Sequence, residues 1–133
     1  MKAVFADTSY YLALLNPGDR LHAAAVGWSR EMSGPIVITG FVLLEPADGL
    51  SEADDRRTFL DLLARLRTDS RVEIIPVSQS LFDEGLALYS DRPDKDWSLT
   101  DCISFVAMRE HGLTDALTGD RHFEQAGFTV LLK

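Results

Sequence analysis

Four acidic residues stand where a fold of alternating strands and helices would gather them into one pocket. Asp7 directly follows a short apolar run, and Asp120 follows the end of another such segment. Glu45 and Asp101 lie early in segments whose apolar residues recur at helical spacing. Two carboxylates about 4 Å apart repel each other by roughly 4 kcal/mol at an effective dielectric constant of 20. A pocket that holds all four therefore requires a cation among them.

An all-oxygen set of ligands favours a hard divalent cation, which makes Mg²⁺ or Mn²⁺ the expected cofactor. Such an ion lowers the pKa of a bound water, positions it against a phosphodiester and neutralises charge on the leaving oxygen. The acidic residues therefore predict metal-assisted phosphodiester hydrolysis in which water is the nucleophile. The ion would also reverse the local field, so that an acidic chain can handle a polyanion.

Composition excludes several other classes of protein. The chain has 133 residues, which fits a single domain over residues 1–133. Its 21 acidic and 13 basic residues give a net charge of -8, so any nucleic-acid binding has to be local. Cys102 is the only cysteine, which excludes an internal disulfide and a cysteine-based zinc cluster. With no secretory leader and no apolar run near the roughly 20 residues of a membrane span, we expect a cytoplasmic protein without membrane contact.

The elements that would position the acids follow from turn residues and from the period of the apolar pattern. The sequence predicts five strands, at residues 3–6, 36–38, 72–75, 116–118 and 129–132. It predicts seven helices, at residues 10–15, 21–32, 41–50, 58–66, 78–90, 98–111 and 122–125. This order implies an α/β fold with a mostly parallel central sheet covered by helices on both faces. Ligands of such sheets bind at the carboxyl ends of the strands, near a switch in strand order.

Four segments in the predicted order resemble the motifs of a known family. They read Ala-Asp-Thr-Ser at residues 6–9, Val-Leu-Leu-Glu at 42–45, Trp-Ser-Leu-Thr-Asp-Cys at 97–102 and Leu-Thr-Gly-Asp-Arg-His-Phe at 117–123. Together they are similar to the successive motifs of PIN domains, and most of all to the VapC-type toxins of bacterial toxin–antitoxin pairs. The resemblance extends from Asp7 to Phe128.

The resemblance implies a PIN-like three-layer α/β/α sandwich and a Mg²⁺- or Mn²⁺-dependent endoribonuclease that cleaves RNA. It also implies a homodimer and a cognate antitoxin protein, whose C-terminal segment covers the active site. Carried over by position, the catalytic and metal-binding residues are Asp7, Glu45, Asp101 and Asp120. The supporting residues are Thr8, Ser9, Asp96 and Thr118. We expect Arg121, directly after Asp120, to bind a substrate phosphate because guanidinium groups engage two oxygens at once.

One residue departs from the family pattern. Pro46 directly follows Glu45, and proline beyond the first turn of a helix removes a hydrogen bond and costs about 3 kcal/mol. We therefore expect a disturbed helix at this point, which makes Glu45 the least secure ligand and Asp48 the alternative to it. The same residue motivates a second hypothesis, a catalytically impaired PIN-like module that binds RNA or a protein partner.

Structural roles compete with the catalytic ones. Asp7 and Asp120 are also suited to cap helices, and Asp101 can close a capping box with Ser98. The three histidines lack paired metal-ligand spacing and are assigned to the surface and to helix ends.

Two further hypotheses concern other surfaces and other enzymes. Tyr10 and Tyr11, in the first helix, are candidates for the core and also for the dimer interface. A haloacid-dehalogenase-like phosphatase fits poorly because Ser9 stands where it needs a second aspartate. A receiver domain fits poorly because Pro-Val-Ser at residues 76–78 replaces its phospho-acceptor.

Overall fold

A computed structural model describes residues 2–133. Five strands form one sheet in the order β3-β2-β1-β4-β5, and every neighbouring pair is parallel. The strands are β1 (Val4–Ala6), β2 (Ile36–Thr39), β3 (Val72–Ile75), β4 (Asp115–Leu117) and β5 (Thr129–Val130). The predicted α/β class is confirmed, and the described sheet is wholly rather than mostly parallel.

Seven helices connect the strands in the predicted order. They are α1 (Thr8–Leu15), α2 (His22–Glu31), α3 (Gly40–Gly49), α4 (Arg56–Thr68), α5 (Gln79–Asp91), α6 (Leu99–Glu110) and α7 (Arg121–Gln125). Helix α1 begins two residues before its predicted start because Asp7, in an extended conformation, already occupies the N-cap position. Strand β5 ends two residues early, although the N–H groups of Leu131 and Leu132 still donate to the carbonyls of Ala116 and Thr118. None of the helices in residues 2–133 has the length and apolar character that crossing a membrane requires.

The strand order places a switch point at β1. The chain leaves β1 for β2 on one side and returns through β4 on the other, where Ala6 is paired with Leu117. The crevice beside the carboxyl ends of β1 and β4 is therefore the preferred place for a ligand in a sheet of this kind. Asp7 follows β1 directly, and Asp120 lies three residues after the end of β4.

A chain of aromatic rings fixes the last two helices against the sheet. Phe105 of α6 packs edge to face on Trp97, with 5.0 Å between ring centroids, and on Phe123 of α7, with 4.9 Å. Phe105 and Phe123 are fully buried, and Phe123 also contacts Phe5 of β1. Edge-to-face pairs favour particular geometries and contribute about 0.5–1.5 kcal/mol beyond their buried area. This packing sets the position of the acids that α6 and α7 carry.

Close packing of α5 against α6 supplies a test of the fold. A Cβ on Gly85 would overlap both the side chain and the backbone of Ile103, whereas one on Gly27 of α2 would meet nothing within 4 Å. We expect Gly85→Ala to destabilise the protein by about 1–3 kcal/mol through overpacking. We expect the matched control Gly27→Ala to be neutral or to stabilise it by up to about 1 kcal/mol through helix propensity. Urea unfolding measures both, and equal effects would contradict the packing.

Candidate active site

The four acids predicted from the sequence line one open pocket of about 390 Å³ at the carboxyl end of the sheet. They come from the end of β1, from α3, from α6 and from the N-terminus of α7. The lining residues are Asp7, Thr8, Ser9, Leu12, Glu45, Asp96, Ser98, Asp101, Asp120 and His122. Side chains far apart in the sequence therefore meet as predicted, and the pocket is rich in carboxylate oxygens.

Thr118 links the two strand ends that carry Asp7 and Asp120. Its fully buried hydroxyl donates a hydrogen bond of 2.9 Å to Oδ2 of Asp7 and accepts one of 3.0 Å from the backbone N–H of Asp120. The hydroxyl of Ser9 lies 3.0 Å from that of Thr118 and accepts from the N–H of Gly119 at 3.3 Å. The two hydroxyls thus hold the carboxylate of Asp7 in place, and a supporting role of Ser9 and Thr118 in catalysis stays a prediction.

Burial raises the pKa of Asp7 to about 6, because the carboxylate is removed from water. Hydrogen bonds from the backbone of Thr8 and the hydroxyl of Thr118 lower this pKa in part, and the charges of Asp101 and Glu45 raise it again. The pocket therefore does not by itself favour a negative charge at this position. A cation held among the carboxylates would lower this pKa again, because it favours the ionised form.

Asp101 has a structural and a chemical role at once. At the third position of α6 it forms a capping box with Ser98, so the structural alternative is realised. Its Oδ2 also lies 3.1 Å from Nδ1 of His122 and faces the pocket. Burial and the charge of Asp120 raise the pKa of Asp101, whereas the N–H of Ser98 and the ring of His122 lower it. The capping geometry fixes the carboxylate without removing it from the site.

His122 lies at the start of α7, as predicted, and it also lines the pocket. Its backbone N–H donates to Oδ1 of Asp120 at 2.8 Å, which makes Asp120 the N-cap of α7. One ligand atom each from Asp101, Asp120 and His122 lies within 4.8 Å of the others, close enough to share one metal ion. The sequence contains a signal for this placement. His122 comes two residues after Asp120, the N-cap of α7, and at that spacing the histidine ring turns back toward the aspartate carboxylate.

Glu45 reaches the pocket because α3 continues without a break through Pro46. The expected disturbance is wrong for a specific reason. Proline lacks the N–H that would bond the carbonyl of Val42, four residues earlier, and the hydroxyl of Thr8 donates to that carbonyl at 3.1 Å instead. Thr8 thus supports the site by securing α3. Asp48, the alternative ligand, is exposed and is not among the residues that line the pocket.

Four other predicted residues have different placements. Asp96 is exposed at the rim of the pocket, immediately before the buried Trp97. Arg121 begins α7 with an exposed side chain that does not line the pocket, so its contact with a phosphate stays a prediction. Tyr10 and Tyr11 are 3% and 2% exposed, which makes them core residues and excludes them as a dimer surface.

The fold and the acidic pocket define a class of protein, and comparison with known proteins identifies the same class. The family model described as the PIN domain matches residues 4–129. The chain therefore belongs to the PIN domain family, and the sequence resemblance is confirmed.

The chain is also similar to individual proteins of known activity or structure. The chain is 33% identical over 128 residues to the 23S rRNA-specific endonuclease VapC20 of Mycobacterium tuberculosis, covering 94% of this chain and 95% of the relative. Its structure resembles the crystal structure of that protein, described as a sarcin-ricin loop cleaving toxin, with a TM-score of 0.87 and 26% identity over 98% of this chain and 99% of the other. A toxin-antitoxin complex from Klebsiella pneumoniae shares the fold, with a TM-score of 0.62 and 19% identity over 89% and 87% of the two chains.

The bond between Thr8 and α3 predicts an energetic coupling to Pro46. We expect Thr8→Val to destabilise the protein by about 1–3 kcal/mol, because the buried carbonyl of Val42 loses its donor. In a Pro46→Ala background the new N–H bonds the same carbonyl, so Thr8→Val should then have a smaller effect. A double-mutant cycle by urea unfolding should give a coupling of about 1 kcal/mol. Additive effects would contradict the compensation.

The raised pKa of Asp7 predicts how stability changes with pH in metal-free protein. The folded state keeps a proton that the unfolded state loses near pH 3.8, so stability falls as pH rises from about 4 to about 6. A pKa rise of this size corresponds to a loss of about 3 kcal/mol. Asp7→Asn should remove that loss and be more stable than the parent at pH 7 in EDTA. Asp61→Asn, which removes an exposed carboxylate on α4, is the control, and parallel profiles for parent and Asp7→Asn would contradict the prediction.

Proposed function

We propose that this protein is a divalent-metal-dependent endoribonuclease that hydrolyses RNA phosphodiester bonds, as expected of a VapC-type toxin. One observation carries the proposal: four carboxylates from separate segments line a single pocket, and two of them have raised pKa values. Acids in that arrangement repel one another, so the pocket favours a dication over any neutral or anionic ligand. The 33% identity to an endonuclease over 94% of the chain gives independent support.

The donor set fits Mg²⁺ or Mn²⁺. Carboxylate oxygens predominate, which suits both ions, and the imidazole of His122 is a nitrogen donor that Mn²⁺ accepts more readily than Mg²⁺ does. Asp7, Glu45, Asp101 and Asp120 would hold the ion. Bound there, it would act as a Lewis acid, lower the pKa of a water and neutralise charge at the leaving oxygen.

Other residues of the chain position the carboxylates that would bind the ion. The hydroxyl of Thr118 fixes the carboxylate of Asp7, and the capping box with Ser98 fixes that of Asp101. Preorganised ligands avoid reorganisation during the reaction, which is a large part of electrostatic catalysis. No side chain in this scheme acts as a covalent nucleophile, since water attacks the phosphorus.

The substrate we propose is ribosomal RNA, because VapC20 is named for its action on 23S rRNA and matches this chain over 95% of its own length. We infer that the protein acts in the cytoplasm, where that RNA is found.

We propose two partners for the chain. An antitoxin is supported by an apolar groove between α3 and α4, where Leu44 and Leu60 are 55% and 47% exposed. Such apolar exposure indicates a protein interface. A homodimer is proposed from the resemblance, and Leu12, 39% exposed on α1, is an apolar residue available to it.

The competing hypothesis of a catalytically impaired module rested on Pro46. Because α3 is continuous and Glu45 lines the pocket, the structural motive for that hypothesis is gone. The two hypotheses still differ in an observable way, since an impaired module would bind RNA without turnover even when Mn²⁺ is supplied.

Removal of one carboxylate tests the proposed function. We expect Asp101→Asn to reduce RNA cleavage by at least about 100-fold. The metal would lose a ligand, and the charge that develops in the transition state would be less well stabilised. EDTA should abolish cleavage by the parent, and added Mn²⁺ should restore it. Far-ultraviolet circular dichroism verifies that the fold persists.

The acids of α3 provide a matched pair for the same assay. Glu45→Gln should slow cleavage, whereas Asp48→Asn, on the same helix but outside the pocket, should not. Cleavage at full rate in EDTA, or by Asp101→Asn, would reject the metal mechanism.

A further inference from the structure

A second pocket adjoins the acidic one and has a different chemistry. It has a volume of about 500 Å³ and lies along the connection between α5 and α6. Its lining residues are Tyr89, Ser90, Arg92, Pro93, Lys95, Asp96, Trp97 and Cys102. Asp96 lines both pockets, so the two cavities are direct neighbours. We call this cavity the α5–α6 pocket.

The inner wall of the α5–α6 pocket is fixed by Trp97. This residue is 5% exposed, packs on Phe105 and donates from its indole N–H to Oε1 of Gln125 at 3.0 Å. The guanidinium of Arg92 lies 5.1 Å from the centroid of the Trp97 ring and forms two hydrogen bonds with Asp94. The charge of Arg92 is therefore balanced by Asp94 within the loop, and the guanidinium group lies over the Trp97 ring.

Two side chains in the pocket have no partner of their own. The ammonium group of Lys95 makes no hydrogen bond or ion pair within 4 Å to any residue in the described range 2–133. Tyr89 is 50% exposed, and its hydroxyl is likewise without a hydrogen bond among those residues. Lys95 has no counter-ion within 4 Å in the described part of the chain, although its charge acts on Asp94 at longer range, and Tyr89 is half exposed. A cation and an exposed aromatic ring are the two groups that bind single-stranded nucleic acid, one at a phosphate and one against a base.

We propose that the α5–α6 pocket binds the nucleotide adjacent to the cleaved bond of a single-stranded RNA, with Lys95 at a backbone phosphate and Tyr89 stacked on the base. The inference rests on the proposed function, since the strand that enters is the substrate of the neighbouring acidic pocket. A volume of about 500 Å³ is within the usual range of small-molecule pockets and leaves space for one nucleotide.

Charge and polarity favour RNA over a protein segment as the occupant. In a chain of net charge -8, a polyanion needs cations close to the acidic pocket, and Lys95 lies in a cavity that borders it. Another cavity borders the acidic pocket through Leu12 but contains no basic side chain. The apolar groove between α3 and α4 is the surface that suits a protein partner, whereas the α5–α6 pocket contains the charged side chains of Arg92, Lys95 and Asp96.

Fluorescence anisotropy with a labelled, mixed-sequence single-stranded RNA in EDTA tests the pocket without cleavage. Lys95→Ala should weaken binding about fivefold and reduce the slope of log K against log salt by about 0.7, the value for one phosphate on a single strand. Tyr89→Leu should weaken binding about tenfold and leave that slope unchanged, because stacking releases no counterion. Tyr89→Phe keeps the ring and should bind as the parent does. Lys133→Ala, which removes one positive charge outside both pockets, is the matched control.

The outcomes separate this pocket from the proposed activity. If Lys95→Ala and Tyr89→Leu bind RNA as tightly as Lys133→Ala, or if the parent binds no RNA in EDTA, the pocket assignment is overturned. Cleavage by the parent with Mn²⁺ is measured separately. Normal cleavage with unchanged KM in the variants would overturn the pocket and leave the nuclease function standing. Weakened binding without any cleavage would support the pocket and reject the nuclease.

Discussion

The cost of removing carboxylates from water and placing them beside one another is the constraint on which this site depends. The pKa of Asp7 is raised to about 6, first by burial and to a smaller extent by the charges of Asp101 and Glu45. Asp101 and Asp120 also cap helices, but the ionised form of Asp7 carries an electrostatic penalty that a bound cation would offset. The wholly parallel sheet makes the gathering possible, because the carboxyl ends of β1 and β4 lie side by side where the strand order switches. The aromatic contact between Phe105 and Phe123 then fixes the positions of α6 and α7, which carry Asp101 and Asp120.

Pro46 shows how a local violation of helix chemistry is balanced by a distant residue. The carbonyl that proline leaves without a donor lies in α3, and the hydroxyl that satisfies it comes from Thr8, 34 positions earlier than Val42. A buried carbonyl without a partner is costly, so this hydrogen bond has a clear structural reason. It also ties the start of α1 to α3, which are the two elements that present Asp7 and Glu45. Thr8 and Pro46 are therefore energetically coupled, and a change at one alters the effect of a change at the other.

The sequence predicted the order of strands and helices and the meeting of the four acids, because short apolar runs, turn residues and caps are local signals. Other features depended on contacts that no local pattern contains. The rescue of Pro46 required knowledge that Thr8 faces α3. The place of His122 in the site required the turn at Asp120 and the position of α6. The burial of Tyr10 and Tyr11 depended on how α1 packs, since an aromatic pair in an amphipathic segment fits a core as well as an interface. The α5–α6 pocket arises only when the loop folds back beside the acids.

The separation of Asp7 and Thr118 along the chain has a consequence for synthesis on the ribosome. Residues 7 and 118 are joined by a hydrogen bond across 111 positions, and the central strand β1 remains without its partner β4 until residues 115–117 have emerged. Contacts of such long sequence separation form late in folding. A nascent polypeptide consequently lacks an assembled acidic centre until residues 115–120 have emerged. If the finished protein cleaves ribosomal RNA, this topology keeps the nascent chain inactive on the ribosome that synthesises it.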